Sequence, residues 1–186
     1  MIRFSSPWAA KPSDEASPND RMGPFLSQPS ILFVCLGNIC RSPLAEAALR
    51  AEAVLAGVAV TIDSAGTGGW HAGDAPDPRA ISEAERHGID ISHYRARQVR
   101  VDDFRRFGQI YALDQQNLRD LRRIQPKGFM GRPIAGPSAR LSLLMDVVPG
   151  REGTAVIDPY GGTADDFAET WADVSAAARE IIRRMF

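Results

Sequence analysis

Nine consecutive residues concentrate the chemistry of this chain: Cys35-Leu36-Gly37-Asn38-Ile39-Cys40-Arg41-Ser42-Pro43. The cysteine closes an apolar run, Ile31 to Cys35, and the arginine stands where Ser42-Pro43 opens a helical pattern. A short loop between a strand and a helix can curl so that successive backbone N–H groups point inward as an anion nest. The helix start adds unpaired amides and the positive end of its dipole. Gly37 and Asn38 are residue types that tolerate the left-handed backbone such a curl needs. A cysteine on the floor of that nest is favoured as thiolate, the nucleophilic form. Arg41 offers a planar fork that grips two phosphate oxygens at once, and Ser42 is a hydrogen-bond partner for the sulfur. One loop thus combines a nucleophile with a holder for the phosphoryl group it attacks. A cysteine ending a buried strand is, taken alone, ordinary packing. The specificity lies in strand end, nest residues, Arg41 and Ser-Pro falling in register.

The surrounding pattern predicts the elements that hold this loop. Ile31–Cys35 reads as a strand buried on both faces. Ser42 is expected as N-cap and Pro43 as first helical residue, with Leu44, Ala45, Ala48, Leu49 and Leu55 at helical spacing and a stop near Gly57. Val58–Ile62 reads as a second strand, Gln109–Leu113 as a third and Arg140–Leu144 as a fourth, with a helical turn as the alternative for the last. Further helices are expected over Asp77–His87, near Val101–Phe107, over Asp114–Arg123 and over Ala164–Met185. The last carries Phe167, Trp171, Val174, Ala178 and Ile181 on one face. Alternating strands and helices make the class α/β with a parallel sheet, whose site lies beyond the carboxyl ends of its strands at the switch point.

The bulk numbers exclude several classes. The 186 residues are 44% hydrophobic, enough for one core, and 22 Lys+Arg against 23 Asp+Glu leave a net charge of -1. A nucleic-acid partner would need a basic excess, and a membrane partner a long apolar run; neither is expected here. Two cysteines do not make a disulfide scaffold, so the expected compartment is the reducing cytoplasm. Residues 1–30 scatter five prolines among polar residues and read as a disordered extension without the apolar core of a signal peptide. A translation start at Met22 is the other reading of that stretch. Residues 31–186 form the expected domain.

From Ile31 to the C-terminal helix the sequence resembles the low-molecular-weight protein-tyrosine-phosphatase family. Val34–Pro43 looks like that family's phosphate-binding loop almost letter for letter. Asp63-Ser64-Ala65-Gly66-Thr67, Trp70-His71, Asp77-Pro78-Arg79-Ala80, Ala96-Arg97-Gln98, Leu113-Asp114 with Asn117-Leu118, and Asp158-Pro159-Tyr160 match its later blocks. The resemblance implies a four-stranded parallel sheet flanked by helices on both faces, Rossmann-like, and needs neither metal nor cofactor. It implies Cys35 as nucleophile, Arg41 as phosphate clamp and Asp158 as proton donor and later base, with the loop residues Leu36, Gly37, Asn38, Ile39, Cys40, Arg41 and Ser42 binding phosphate. Asp-Pro is also a common turn-starting pair, and Asp114 reads equally as helix N-cap, the favoured role, or as a partner of the site.

In the family the loop asparagine is held by a serine and a histidine. Ser64 matches the serine, but Tyr94 stands at the histidine position, with His93 one residue earlier. His71 and His87 read as surface or packing residues. Trp70 and Tyr160 are expected as walls of an aryl-phosphate cleft, with core burial as the other reading of Trp70. The partner implied is a phosphotyrosine-bearing protein, a bacterial tyrosine kinase being one candidate. Two neighbouring activities remain open. Arginine phosphatases resemble the chain but carry Thr where Ile39 stands. Thiol-dependent arsenate reductases share the loop, but this chain has no cysteine after Arg41 to serve an internal relay. Cys35 and Cys40 are close enough in sequence to form a reversible protective disulfide.

Overall fold

The computed structural model describes residues 28–126 and 138–186. The expected disordered extension therefore lies outside the described residues, apart from its last three positions, and Ser30 already begins β1. Four strands, β1 (Ser30–Cys35), β2 (Thr61–Gly66), β3 (Gln109–Ala112) and β4 (Arg140–Leu143), form one sheet in the order β2-β1-β3-β4, all neighbours parallel. Between them run α1 (Arg41–Ala56), α2 (Pro78–Arg86), α3 (Asp103–Arg106) and α4 (Gln115–Ile124), and α5 (Ala164–Arg183) closes the chain. Among the described residues no helix is long and apolar enough to cross a membrane.

The period of two along β1 builds two cores. Ile31, Phe33 and Cys35 face one side, where Leu44, Ala48 and Leu49 of α1 meet Phe167, Val174, Ala178 and Ile181 of α5. Leu32 and Val34 face the other, against Phe104 of α3 and Leu118 and Leu121 of α4. Helices thus cover both faces, as a parallel sheet with continuous apolar strands requires. The chain reverses its winding between β1 and β3, so the carboxyl end of β1 lies at the switch point, and Cys35 is its last residue.

Three expectations shift. The second strand is Thr61–Gly66, not Val58–Ile62. Val58 to Val60 are apolar but only partly buried or exposed, whereas Ser64, Ala65 and Gly66 are buried. The register with β1, Ser30 opposite Thr61 and Cys35 opposite Gly66, decides the strand rather than its hydrophobicity. The first helix begins at Arg41, with Cys40 at the N-cap and no side-chain cap, so Ser42 lies inside the helix and its hydroxyl is used elsewhere. Leu55, counted on the apolar face, is exposed. The fourth strand keeps both readings: β4 ends at Leu143, and a 3₁₀ turn over Leu144–Val147 follows directly.

The end of β2 is pressed against the loop after β1. A Cβ at Gly66 would lie 2.8 Å from the Leu36 carbonyl oxygen and 3.0 Å from that of Gly68. Gly66→Ala is therefore expected to cost about 1–3 kcal/mol of stability and to slow alkylation of Cys35 by displacing its loop. A melting curve and an iodoacetamide rate check this, and wild-type values in both would remove the clash.

Candidate active site

The loop from Leu36 to Cys40 turns on Asn38, the only non-glycine residue with positive φ among the described residues, at 59°. Its backbone N–H lies 3.2 Å from Cys35 Sγ. Its side chain is fully engaged: Nδ2 donates to Ser42 Oγ and Ser64 Oγ, both at 2.9 Å, and Oδ1 accepts from the Arg97 amide at 2.9 Å. Arg97 is itself fixed, its guanidinium bridging Asp63 of β2 (2.8 Å) and the buried Asp103 of α3 (2.9 Å). Ser42 Oγ is 3.0 Å from Cys35 Sγ and 3.4 Å from the Ala65 carbonyl. Asn38 donates to that oxygen, so the Ser42 proton is left to two acceptors, the Cys35 sulfur and the Ala65 carbonyl. The Asn38 amide thus donates to Cys35 Sγ, and the Ser42 hydroxyl lies in hydrogen-bond contact with it.

The supporting histidine of the resemblance is absent. His93 is exposed and packs edge-on against Tyr94, with centroids 4.8 Å apart. Tyr94 turns inward beside Glu46, Ser64 and Asn38, lining a small polar cavity behind the loop. Burial pushes the Tyr94 hydroxyl up to about 12, with the Glu46 charge adding to it. Burial likewise raises the Glu46 carboxyl, against hydrogen bonds from Ser64 and Arg50 that work the other way. A neutral phenol thus fills the place, and Asn38 is held by Ser42, Ser64 and the Arg97 backbone.

Arg41 is 3% exposed and held at both ends of its fork. NH1 binds Asp114 Oδ2 at 2.8 Å and NH2 binds Asp158 Oδ2 at 2.7 Å; NH1 also reaches the Val156 carbonyl at 3.3 Å. Burial works against its charge, but Cys35, Asp158 and Asp114 outweigh burial and raise its pKa further. Asp114 fills both roles read from the sequence, because its Oδ1 caps α4 through the Asn117 amide while its Oδ2 holds Arg41. Asp158 has a 42% exposed side chain, and its Oδ1 accepts from the Tyr160 amide at 3.2 Å, so the carboxylate is turned by its own loop toward Arg41.

These groups share a cleft of about 220 Å³, lined by Cys35, Leu36, Gly37, Ile39, Cys40, Arg41, Trp70, His71, Asp158 and Tyr160. Trp70 and Tyr160 stand 65% and 58% exposed at its mouth, so Trp70 is a wall and not core. Its indole lies across Gly68, where a Cβ would come within 2.0 Å of the ring. His71, read as surface or packing, also lines the cleft, with Nδ1 3.0 Å from Asp74 Oδ2. His87 packs as expected, stacked on Trp171 at 4.4 Å. Sequence reasoning missed Arg97, Glu46 and Arg79 as parts of the site's frame. A hint for the last was the Asp-Pro-Arg triplet opening α2. Both cysteines are free, and burial, with Asp77 adding, drives the Cys40 thiol well above its ordinary range.

A buried cysteine at a parallel-sheet switch point, a tight turn on Asn38 beside it and a buried arginine fork place the candidate site of this α/β protein at the carboxyl end of β1. Residues 30–185 match the family model described as low molecular weight phosphotyrosine protein phosphatase, and the chain belongs to that family. The phosphatase of that name from Schizosaccharomyces pombe is 41% identical over 144 residues, covering 76% of this chain and 86% of its own. A solved protein tyrosine phosphatase from Entamoeba histolytica, with Hepes in its active site, is 29% identical. Its TM-score is 0.75, and the match covers 85% of this chain and 97% of that one. A solved Drosophila arginine phosphatase is similar too, at 27% identity and TM-score 0.74 over 83% of this chain and 96% of that one.

Two measurements probe this geometry. Asn38→Ala strips three hydrogen bonds and leaves a positive φ on alanine, and is expected to cost about 2–5 kcal/mol in denaturant unfolding; a loss below that range would show the turn is held by other means. At neutral pH, iodoacetamide is expected to modify Cys35 about tenfold or more faster than Cys40, read by peptide mapping. Equal labelling would remove the distinction drawn between the two thiols.

Proposed function

We propose that the chain hydrolyses phosphotyrosine in proteins, with Cys35 as nucleophile, Arg41 as phosphate clamp and Asp158 as proton donor. The observation that carries this reading is Arg41, whose fork joins the Asp158 carboxylate to the loop around Cys35 within a single cleft. Phosphate entering the loop competes with Asp158 for NH2, while Asp114 keeps NH1 in place. Cys35 Sγ attacks phosphorus as the P–O bond breaks, and the protonated Asp158 gives its proton to the departing phenolate. In the second half, the Asp158 carboxylate takes a proton from water as that water attacks phosphorus and the S–P bond breaks. The amides from Leu36 to Ser42 and the Arg41 fork stabilise the equatorial oxygens, so the positive field comes from the protein itself.

Tyrosine is favoured over arginine by the residues at the mouth. Ile39 offers no hydroxyl, and Trp70 and Tyr160 put two aromatic side chains on the cleft lining against which a phenyl ring can pack. Arsenate reduction is disfavoured because Cys40, the one thiol near the nucleophile, is buried and held protonated, a poor resolving group. A thiol that must stay reduced to work fits a reducing compartment such as the cytoplasm.

Turnover of p-nitrophenyl phosphate that persists in chelator and vanishes in Cys35→Ser is the expected outcome. Asp158→Ala should lose most with the poorest leaving groups, by about 10²–10⁴-fold, and uniform slowing would remove Asp158 as the acid. Phosphotyrosine peptides should turn over far faster than phosphoarginine peptides; the reverse order would transfer the assignment to arginine.

A further inference from the structure

Arg79 does not line the cleft, yet it joins the two segments that do. Its Nε and NH2 grip the two Asp77 carboxylate oxygens at 3.0 and 2.8 Å, while NH1 donates to the Gly162 carbonyl and NH2 to the Tyr160 carbonyl, each at 2.8 Å. Its guanidinium lies 4.8 Å over the ring of Phe167 in the core, which fixes the plane of the fork. Asp77 in turn is bound to the phosphate loop, its amide donating to the Ile39 carbonyl at 2.8 Å, and it caps α2 through the Arg79 amide. The hydrogen bonds from Arg79 hold the Asp77 carboxyl below the usual carboxylate range.

The two carbonyls that Arg79 holds lie two and four residues beyond Asp158. The segment before Asp158 is anchored separately: the Val156 amide donates to the Leu113 carbonyl at 2.8 Å, and the Ile157 carbonyl accepts from Thr170 at 3.4 Å. Asp158 therefore sits on a short span pinned at both ends, with Arg79 as the downstream pin. We infer that Arg79 is a positioning residue that sets the reach of the Asp158 carboxyl toward the leaving oxygen, by tying the Tyr160–Gly162 turn through Asp77 to Ile39 of the phosphate loop. This rests on the reading of Asp158 as proton donor. The Asp77 side chain is nearly buried, so losing the pair costs stability as well as geometry, and proton transfer is the step that reads the geometric part.

The test is a cycle of Arg79→Met and Arg79→Lys in wild-type and Asp158→Ala backgrounds, with kcat/KM measured from p-nitrophenyl to phenyl phosphate. Arg79→Met is expected to lose about tenfold with phenyl phosphate and about threefold or less with p-nitrophenyl phosphate, with inhibition by inorganic phosphate unchanged. In the Asp158→Ala background it should add no leaving-group dependence. Arg79→Lys should recover only part, because an ammonium cannot span a carboxylate and two carbonyls at once. An equal loss for every leaving group, a matching loss of phosphate inhibition, or a leaving-group effect that persists without Asp158 would each overturn the assignment. If the methionine variant does not fold, Asp77→Asn and Arg79→Lys give the same readouts. An Asp158→Ala enzyme with no leaving-group dependence of its own would overturn the proton-donor reading, and with it this inference. A normal Asp158→Ala result beside a silent Arg79 overturns the inference alone.

Discussion

The turn at Asn38 is the constraint on which the site depends. Left-handed backbone costs an L-residue about 1–2 kcal/mol, and the turn keeps its form because every polar atom of the Asn38 side chain has a partner. Those partners come from three places: Ser42 of α1, Ser64 of β2 and the Arg97 backbone. The same turn brings the Asn38 N–H onto Cys35 Sγ and seats the Ser42 hydroxyl 3.0 Å from it. Loop shape and the surroundings of the Cys35 sulfur are thus one arrangement. The replacement of a histidine by Tyr94 leaves it intact, because the three bonds to Asn38 do not pass through that position.

Charge at the site follows a second constraint. A guanidinium as buried as that of Arg41 cannot stay unpaired without a large desolvation cost, and Asp114 and Asp158 supply its counter-charges. The two are not equivalent. Asp114 is locked by its cap on α4, whereas Asp158 is more exposed and sits on a span pinned at its ends. One carboxylate is fixed to two elements at once, and the other is held only by Arg41 and its own short span. The parallel sheet makes this possible: Cys35 ends β1, Asp114 follows β3, and Asp158 follows β4 and its 3₁₀ turn, so all three meet at one edge of the fold.

The two ends of the chemistry were legible to different degrees. The loop after β1 could be read from nine letters because its geometry is local: strand end, turn residues, helix start and arginine are neighbours in sequence. The supports were not, since Arg97 acts through its backbone, Asp103 through a salt bridge, and Arg79 through carbonyls some eighty residues away. Ser42 illustrates the limit. Its type and place before proline suggest a helix cap, yet the helix begins two residues earlier than that reading requires and the hydroxyl lies against the Cys35 sulfur instead.

Local periodicity and motif spacing were sufficient for the α/β class, the order of elements, the buried β1 and the placement of Cys35 at its end and Arg41 at a helix start, because each is written within a few residues. Tertiary structure decided where β2 begins, that Tyr94 and not His93 turns inward, that Trp70 stands at the cleft mouth, and that Asp114 holds Arg41 as well as α4. Each of these depends on which distant segment is paired or packed alongside, and strand register and side-chain partnership are settled only when the sheet has assembled.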